Sequence, residues 1–249
     1  MSDGILLTAH GTVENLDEMP EFLRRIRHGR PAPPELVEEL KRRYTTIGGS
    51  PLLRITNEQA DLLARETGLP VFIGMRLFRP ELSDALQKAH AAGITRLVVL
   101  PLAPFSVHVY AAAAERVCKE LNLPLTLAVG RPYGDAEEFV QAQADLVRPA
   151  LGAPESESLL LTAHSLPRKV IEMGDPYAKL VELSASAIAK KLGRAHELVY
   201  QSQGADGGDW LGPDLRSALS AAQARGVRRV VVAPVGFLSD HVETLYDLD

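Results

Sequence analysis

The sequence predicts an α/β protein in which one strand-and-helix unit with parallel strands occurs twice. Residues 5–10 read ILLTAH and residues 159–164 read LLLTAH, and both are short apolar runs typical of buried parallel strands. Residues 85–101 (ALQKAHAAGITRLVVLP) and 218–234 (ALSAAQARGVRRVVVAP) each predict an amphipathic helix that leads into a strand. Two copies of one unit therefore organise the chain.

The longer repeat also contains the signals that end its elements. A glycine, Gly93 or Gly226, stops each helix, and a basic residue and a β-branched run follow before a proline ends the strand. Alternating strands and helices predict parallel sheets with right-handed crossovers. The remaining predicted strands are 71–77 and 197–204, and the predicted connecting helices are 55–67, 135–150 and 178–192.

The two copies differ in length near their first strands. The interval from His10 to Pro101 exceeds the interval from His164 to Pro234, and the extra residues lie at about 12–54. An insertion there overhangs the carboxyl end of the strand, where α/β sheets bind their ligands. We expect a first domain over 1–150 with this insertion at the lip of a cleft, and a second domain over 151–249.

Composition excludes several classes of function. The chain has 249 residues, 46% of them hydrophobic, and a net charge of −5, so it can form a core and shows no nucleic-acid footprint. Its one cysteine, Cys118, excludes an internal disulfide and an all-cysteine metal site. No leader, membrane-length apolar run, GxGxxG or P-loop occurs, so we expect a cytoplasmic protein without a dinucleotide or P-loop site. A doubled α/β fold is still compatible with a sugar binder, a transferase or a chelatase.

His164 is the first candidate for chemistry. It follows an apolar strand in TAHSLP, at a cleft edge, and imidazole can accept a proton or bind a metal near neutral pH. The alternative is a polar cap on the following helix, a role that Ser165 could fill. Glu243 and Asp247 are four residues apart in a predicted helix that starts at His241 with Ser239 or Asp240 as N-cap. They could carry a cation or protons, but the spacing alone favours a solvated acidic face.

Three further features could contact a ligand. His10, the repeat partner of His164, could be an axial metal ligand or a strand-end hydrogen bonder. Arg27 and Arg30 belong to a basic stretch that is either a solvated helix face or an edge that contacts anions. Trp210, in the glycine-rich GADGGDWLGP, could cover a flat ligand, although core packing is the more frequent use of tryptophan.

Eight segments, in order along the chain, resemble the ferrochelatase family, and HSLP together with SDHxETLYxxD is the most specific combination. The family resemblance implies two Rossmann-like domains with a porphyrin cleft between them, which agrees with the duplication. The segments are AHGT (9–12), RRYTTIGGSPL (42–52), GMRLFRP (74–80), LPLAPFS (100–106), TAHSLP (162–167), QSQG (201–204), WLGP (210–213) and PVGFLSDHVETLYDLD (234–249).

The resemblance also assigns roles. It implies that His164 is the active-site histidine, that Glu243 is its acidic partner, and that Asp247 extends an acidic track, so that all three would handle the metal. His10 falls where the gram-positive type of enzyme carries a tyrosine facing the iron, and that type uses coproporphyrin III. The residues implied to bind the porphyrin are His10, Arg27, Arg30, Ser50, Arg76, Ser106 and Trp210.

The implied reaction is the insertion of Fe²⁺ into a porphyrin in haem biosynthesis, a lyase activity that releases two pyrrole protons. No cofactor is expected beyond the substrate iron, and Cys118 alone excludes a cysteine-ligated iron–sulfur cluster. We expect porphyrin and ferrous iron as ligands, other haem-pathway enzymes as partners, a monomer, and neither nucleic acid nor a transmembrane segment. Coproporphyrin III is favoured over protoporphyrin IX.

Two alternatives stay open at this point. Family members continue beyond the position of Asp249, so the second domain is expected to end in an incomplete helix. The first alternative is therefore a non-catalytic porphyrin or haem carrier that keeps the cleft without turnover. The second is a chelatase for cobalt or nickel in a corrin-type precursor.

Overall fold

The computed structural model describes residues 2–204 and 208–248 as alternating strands and helices, which confirms the predicted α/β class with parallel sheets. Two compact units divide the chain. Unit 1 comprises Met1–Arg131 and Ser239–Asp249, and unit 2 comprises Pro132–Leu238. The strands are β1 (Asp3–Thr8), β2 (Val71–Ile73), β3 (Arg96–Pro101), β4 (Thr126–Val129), β5 (Glu157–His164), β6 (Glu197–Gln201) and β7 (Arg229–Ala233). The α-helices are α1 (Met19–Ile26), α2 (Pro34–Thr46), α3 (Leu52–Thr67), α4 (Leu82–Ala91), α5 (Val107–Glu120), α6 (Glu137–Val147), α7 (Arg168–Glu172), α8 (Tyr177–Leu192), α9 (Leu215–Ala224) and α10 (Val242–Leu245).

The two sheets repeat one strand order. In unit 1 the order is β2-β1-β3-β4, and in unit 2 it is β6-β5-β7. The first strand of each copy, β1 or β5, thus lies between the second and third strands of that copy. The helix before the third strand ends just before a glycine with positive φ in both copies, Gly93 (77°) and Gly226 (76°). These are the stop signals that the sequence predicted.

An ion pair occupies the same register position in both sheets. Arg96 opens β3 beside Asp3 of β1, and Arg229 opens β7 beside Glu157 of β5. The environments differ, because the Asp3 side chain is 30% exposed and the Glu157 side chain is 2% exposed. Glu157 has a second partner, Arg194, at 3.0 Å. The duplication therefore contains one exposed and one buried version of a single contact.

The division between the units differs from the predicted boundary at residue 150. Helix α6 belongs to unit 2 because Val140, Ala144 and Val147 are buried in one core with residues of β5, β7 and α8. The end of the chain returns to unit 1, where Val242 packs against the core of the inserted segment. The apolar face of α6 therefore moves the boundary between the units to before α6. The return of the chain after β7 makes unit 1 discontinuous in sequence.

The predicted insertion folds into its own layer of unit 1. Helices α1 and α2 and the first turn of α3 fall within 12–54. The buried core of this layer consists of Val13, Met19, Phe22, Leu23, Tyr44 and Phe78. A separate core lies under β1, β3, α4 and α5.

Several element ends differ from the sequence prediction. The strand predicted over 71–77 ends at Ile73, because Met75 leaves the ladder and bridges to Glu81. The strand predicted over 197–204 ends at Gln201, and the helix predicted over 135–150 is α6 followed by a 3₁₀ turn over Arg148–Ala150. Proline at position 149 explains that change, since it lacks the N–H of a continuing α-helix.

Candidate active site

His164 is the last residue of β5, and its side chain is partly exposed. The strand around it is buried, from Leu159 to Ala163, so the imidazole lies where the apolar run ends. Its backbone carbonyl accepts a hydrogen bond of 2.9 Å from the Tyr177 hydroxyl at the start of α8. Tyr177 is not among the residues predicted from the sequence. Neither His164 nor Ser165 caps α7, whose N-cap is Pro167 without a side-chain cap.

The loop after His164 is fixed by the WLGP segment. Ser165 donates its hydroxyl hydrogen to the Leu211 carbonyl at 2.9 Å, and Pro167 forms an antiparallel bridge with Trp210. The Trp210 ring packs on the chain at Gly204, where a Cβ would lie 2.7 Å from a ring carbon. HSLP, QSQG and WLGP therefore form one local structure in unit 2. The part of the glycine-rich loop at 205–207 lies outside the described residues.

Glu243 lies in α10, a single helical turn with an unexpected cap. The predicted N-cap was Ser239 or Asp240, but the structure places His241 there, with extended backbone at φ −162°. Nδ1 of His241 accepts the Glu243 N–H at 3.1 Å, and the Thr244 hydroxyl oxygen accepts the His241 N–H at 3.0 Å. Because Nδ1 accepts, this geometry assigns the imidazole proton to Nε2. A hydroxyl three residues after His241 was the overlooked sequence signal.

Two buried tyrosines experience the charge of Glu243. The Tyr44 hydroxyl hydrogen-bonds Thr12 at 3.0 Å, and burial raises its pKa, partly offset by this bond and reinforced by the negative charge of Glu243. Burial likewise raises the pKa of Tyr110, while the Arg76 guanidinium lowers it and Glu243 raises it. Tyr44 and Tyr110 were not among the predicted site residues, although both lie within or close to motif segments.

The predicted shared helix face of Glu243 and Asp247 is wrong. Helix α10 ends at Leu245, so Asp247 lies in the following turn rather than one helical turn along a common face. Asp247 instead forms an ion pair of 3.2 Å with Arg43 of α2. The Arg43 guanidinium also lies 5.1 Å from the ring centroid of Tyr246. An ion pair and a cation–π contact, both distant in sequence, therefore hold this segment on unit 1.

Arg76 lies beyond β2 and contacts Tyr110 of α5. Its guanidinium carbon is 5.5 Å from the centroid of the Tyr110 ring. Its backbone N–H donates to the Ala9 carbonyl at 2.8 Å, just after β1. Arg76 forms no ion pair with a carboxylate in residues 2–204 and 208–248. The motif residue is therefore placed at the carboxyl edge of the first sheet, with a tyrosine as its main contact.

The remaining predicted porphyrin contacts lie at separate points of unit 1. His10 is exposed beyond the end of β1, with its ring 6.2 Å edge-on from Phe22 and Nδ1 3.3 Å from the Gly11 carbonyl oxygen. Arg27 caps the end of α1, and Arg30 donates from Nε to the Arg27 carbonyl at 3.2 Å. Ser50 precedes α3, and its hydroxyl oxygen accepts a hydrogen bond of 3.4 Å from the Leu52 N–H. Ser106 is the N-cap residue of α5, but its side chain forms no capping hydrogen bond.

The predicted residues are thus divided between the units. His164 and Trp210 belong to unit 2, and the other predicted residues belong to unit 1. Across residues 2–204 and 208–248, no three His, Cys, Asp or Glu side chains form a group suited to hold a metal ion. In the same described ranges, no helix is both long enough and apolar enough to cross a membrane. The assignments of His164, Glu243 and Asp247 remain predictions.

Comparison with solved structures defines the class of fold. SirB from Bacillus subtilis, solved with Fe³⁺, aligns with a TM-score of 0.52 at 17% identity, over 93% of this chain and 76% of that one. DR2241 from Deinococcus radiodurans, described as similar to chelatases, aligns with a TM-score of 0.51 at 16% identity over 98% of this chain and 53% of that one. The doubled parallel sheets are therefore those of the chelatase fold.

Comparison of sequences gives the family. The family model described as Ferrochelatase matches residues 2–249. A "Ferrochelatase" of Acidobacterium capsulatum is 36% identical over 98% of this chain and 82% of its own length. A "Coproporphyrin III ferrochelatase" of Geobacillus kaustophilus is 39% identical over 99% of this chain and 84% of its own length. The chain belongs to the ferrochelatase family, and as an enzyme it is a metal chelatase.

Proposed function

We propose that this chain inserts Fe²⁺ into coproporphyrin III. The observation that carries the choice of porphyrin is the similarity to several coproporphyrin III ferrochelatases, at 39% identity for that of Geobacillus kaustophilus and 36% for that of Bacillus subtilis. Coproporphyrin carries more propionates than protoporphyrin, so its binding benefits more from arginines. The half-buried Arg27 and the exposed Arg30 at the end of α1 support this choice, since guanidinium groups bind carboxylates in a bidentate manner.

We assign proton removal to His164. A free porphyrin must lose two pyrrole protons as the metal enters, and a neutral imidazole is a suitable acceptor near pH 7. The position of His164 supports the assignment, because its ring emerges from a rigid buried strand and its carbonyl is held by Tyr177. A base held in this way loses little freedom when the substrate binds.

We assign the handling of hydrated iron and of released protons to Glu243, followed by Asp247. Carboxylate oxygen is a suitable ligand for a divalent ion and can also exchange protons. Glu243 is fixed near its backbone by the His241 cap. The ion pair with Arg43 competes with a cation for the oxygens of Asp247, so Asp247 has the secondary role. The reaction needs no cofactor beyond the substrate iron and no iron–sulfur cluster.

The test is anaerobic metallation followed by visible spectroscopy. We expect Fe²⁺ with coproporphyrin III to give the spectrum of the iron porphyrin, at a higher kcat/KM than with protoporphyrin IX. His164→Ala should lower kcat by at least ~10²-fold, the scale of a general base, while porphyrin binding stays within a few-fold of wild type. His90→Ala is the matched control, since His90 is exposed on α4.

Each outcome distinguishes the alternatives. Porphyrin binding without metallation by the wild-type chain would indicate a carrier and reject the proposed activity. Unchanged turnover in His164→Ala would reject the role of this residue while leaving the activity intact. A higher kcat/KM for protoporphyrin IX would reject the choice of coproporphyrin III.

A further inference from the structure

Unit 1 contains a pocket in which Arg76 is the only lining residue that is also predicted to bind the porphyrin. Its volume is about 240 Å³, which is below the range of about 300–1,000 Å³ usual for drug-sized ligands. It lies against the first turn of α4 and the last turns of α5. The size indicates a small molecule rather than a macrocycle.

The polar part of the lining carries an excess of positive charge. Three arginines, Arg25, Arg76 and Arg116, line the pocket together with Glu81 and Glu120. Arg25 is already bound to carboxylates, through Nε to Glu21 at 2.9 Å and through Nη2 to Glu81 at 3.0 Å. Arg25 and Glu81 neutralise each other, and Arg76, Arg116 and Glu120 leave a net charge of one positive unit. The lining therefore favours a ligand with a single negative charge over a dianion such as phosphate.

The other two arginines have no close carboxylate contact among the described residues, although Arg76 contacts the Tyr110 side chain. Arg116 meets Glu120 only at 3.8 Å, and both side chains are largely exposed, at 70% and 63%. Arg76 has no carboxylate partner among the described residues, and its Nε is buried without a hydrogen bond. Leaving a buried guanidinium N–H unsatisfied is unfavourable, so a carboxylate within reach would stabilise it.

The α4 end of the pocket adds neutral donors. Ser83 is the second residue of α4 and lines the pocket, and the N-cap residue Glu81 makes no side-chain bond to the first-turn N–H groups. These donors and the guanidinium groups are of the type that binds a carboxylate. The rest of the lining is apolar and comprises Met75, Phe78, Leu82, Val117 and Leu121.

We propose that this pocket binds a small amphipathic monocarboxylate, with its carboxylate among Arg76, Arg116 and Ser83 and its apolar body against the apolar lining. This site shares Arg76 with the residues predicted to bind the porphyrin, but Arg116, Ser83 and the apolar lining lie outside that set, and the proposal does not depend on the proposed metallation activity. A short aryl or alkyl carboxylate satisfies the volume, the charge and the mixed lining together.

The test is a titration of the full chain with 4-fluorobenzoate, followed by fluorine NMR. We expect a Kd of ~1 mM for a probe of this size, and at least ~10-fold weaker binding of the neutral 4-fluorobenzamide. Inorganic phosphate should compete no better than chloride at equal ionic strength. Lack of saturation by wild type up to about 20 mM would overturn the proposal.

Two variants locate the binding site. Ser83→Asp places a carboxylate in the first turn of α4, where it suits the helix end and competes with the ligand, and should weaken binding at least ~10-fold. Arg116→Gln should weaken it ~3-fold or more. Arg54→Gln is the matched control, because Arg54 is also exposed and paired with a glutamate one helical turn away. Circular dichroism checks that each variant is folded.

The remaining outcomes are also decisive. Wild-type affinity in Ser83→Asp would place the probe elsewhere and reject the site. Displacement of the probe by metal-free coproporphyrin III, combined with unchanged probe binding in Arg116→Gln, would assign the probe to the porphyrin site and reject an additional one. Failure of the metallation assay leaves this titration unaffected, so the two proposals can fail separately.

Discussion

The duplicated ion pair at the start of the sheets predicts a large difference in stability between two similar substitutions. Glu157 is 2% exposed and is bound by Arg229, by Arg194 at 3.0 Å and by the Gly152 N–H at 3.0 Å. Glu157→Ala leaves Arg194, only 11% exposed, without its carboxylate. Removing one partner of a buried ion pair costs about 3–5 kcal/mol, so we expect a loss of that size in the free energy of unfolding.

The equivalent pair in unit 1 is the internal control. Asp3 and Arg96 are 30% and 47% exposed, so Asp3→Ala should cost much less than Glu157→Ala. Urea unfolding followed by circular dichroism reports on the helices of both units, so the two losses can be compared, and the fluorescence of Trp210 adds a separate report on unit 2, which contains Glu157. Glu157→Gln, which keeps the volume and a hydrogen-bond acceptor, should fall between these values. Equal losses for Glu157→Ala and Asp3→Ala would refute the argument from burial.

Three further predictions concern the inserted layer of unit 1. Thr12→Val should lower the free energy of unfolding by about 1–3 kcal/mol in urea titrations, because it removes the hydrogen-bond partner of the buried Tyr44 hydroxyl; no change would show that another group satisfies the hydroxyl. Hydrogen bonds from two neighbouring arginines lower the pKa of Glu21 to about 2. The contribution of the Glu21 carboxylate to the free energy of unfolding is therefore present above pH 4.5 and lost as the pH falls towards 2. The stability difference between wild type and Glu21→Gln should stay below about 1 kcal/mol, because the side chain is 37% exposed, and should shrink over that pH range; a constant difference would contradict the lowered pKa. Arg43→Ala removes the ion pair to Asp247, so hydrogen exchange at the amides of residues 242–246 should become faster by ~3- to 10-fold, whereas unchanged exchange would mean that the ion pair does not hold the segment.

Local patterns in the sequence predicted the repeated parts of the fold well. The apolar runs before His10 and His164 gave both central strands, and Gly93 and Gly226 marked where α4 and α9 end. Such features depend on residues close in sequence. The position of α6 in unit 2 was not predicted, because the partners of Val140 and Ala144 lie far along the chain.

The candidate site was predicted less completely for the same reason. The motifs directed attention to Arg76 and Asp247, but not to their contacts with Tyr110 and Arg43. His241 was predicted to be the first helical residue, whereas its ring caps α10. Histidine is an uncommon N-cap, so the propensity rules favoured Ser239 and Asp240.

The return of residues 239–249 to unit 1 has a consequence for synthesis on the ribosome. Unit 2 is continuous in sequence and can fold as soon as its last strand has emerged, whereas unit 1 lacks Val242 and Asp247 until the segment after unit 2 is made. The half that is translated first is therefore completed last. Until then, the apolar layer around Phe22 and Phe78 lacks its cover from Val242, which makes the nascent N-terminal half a candidate for chaperone binding.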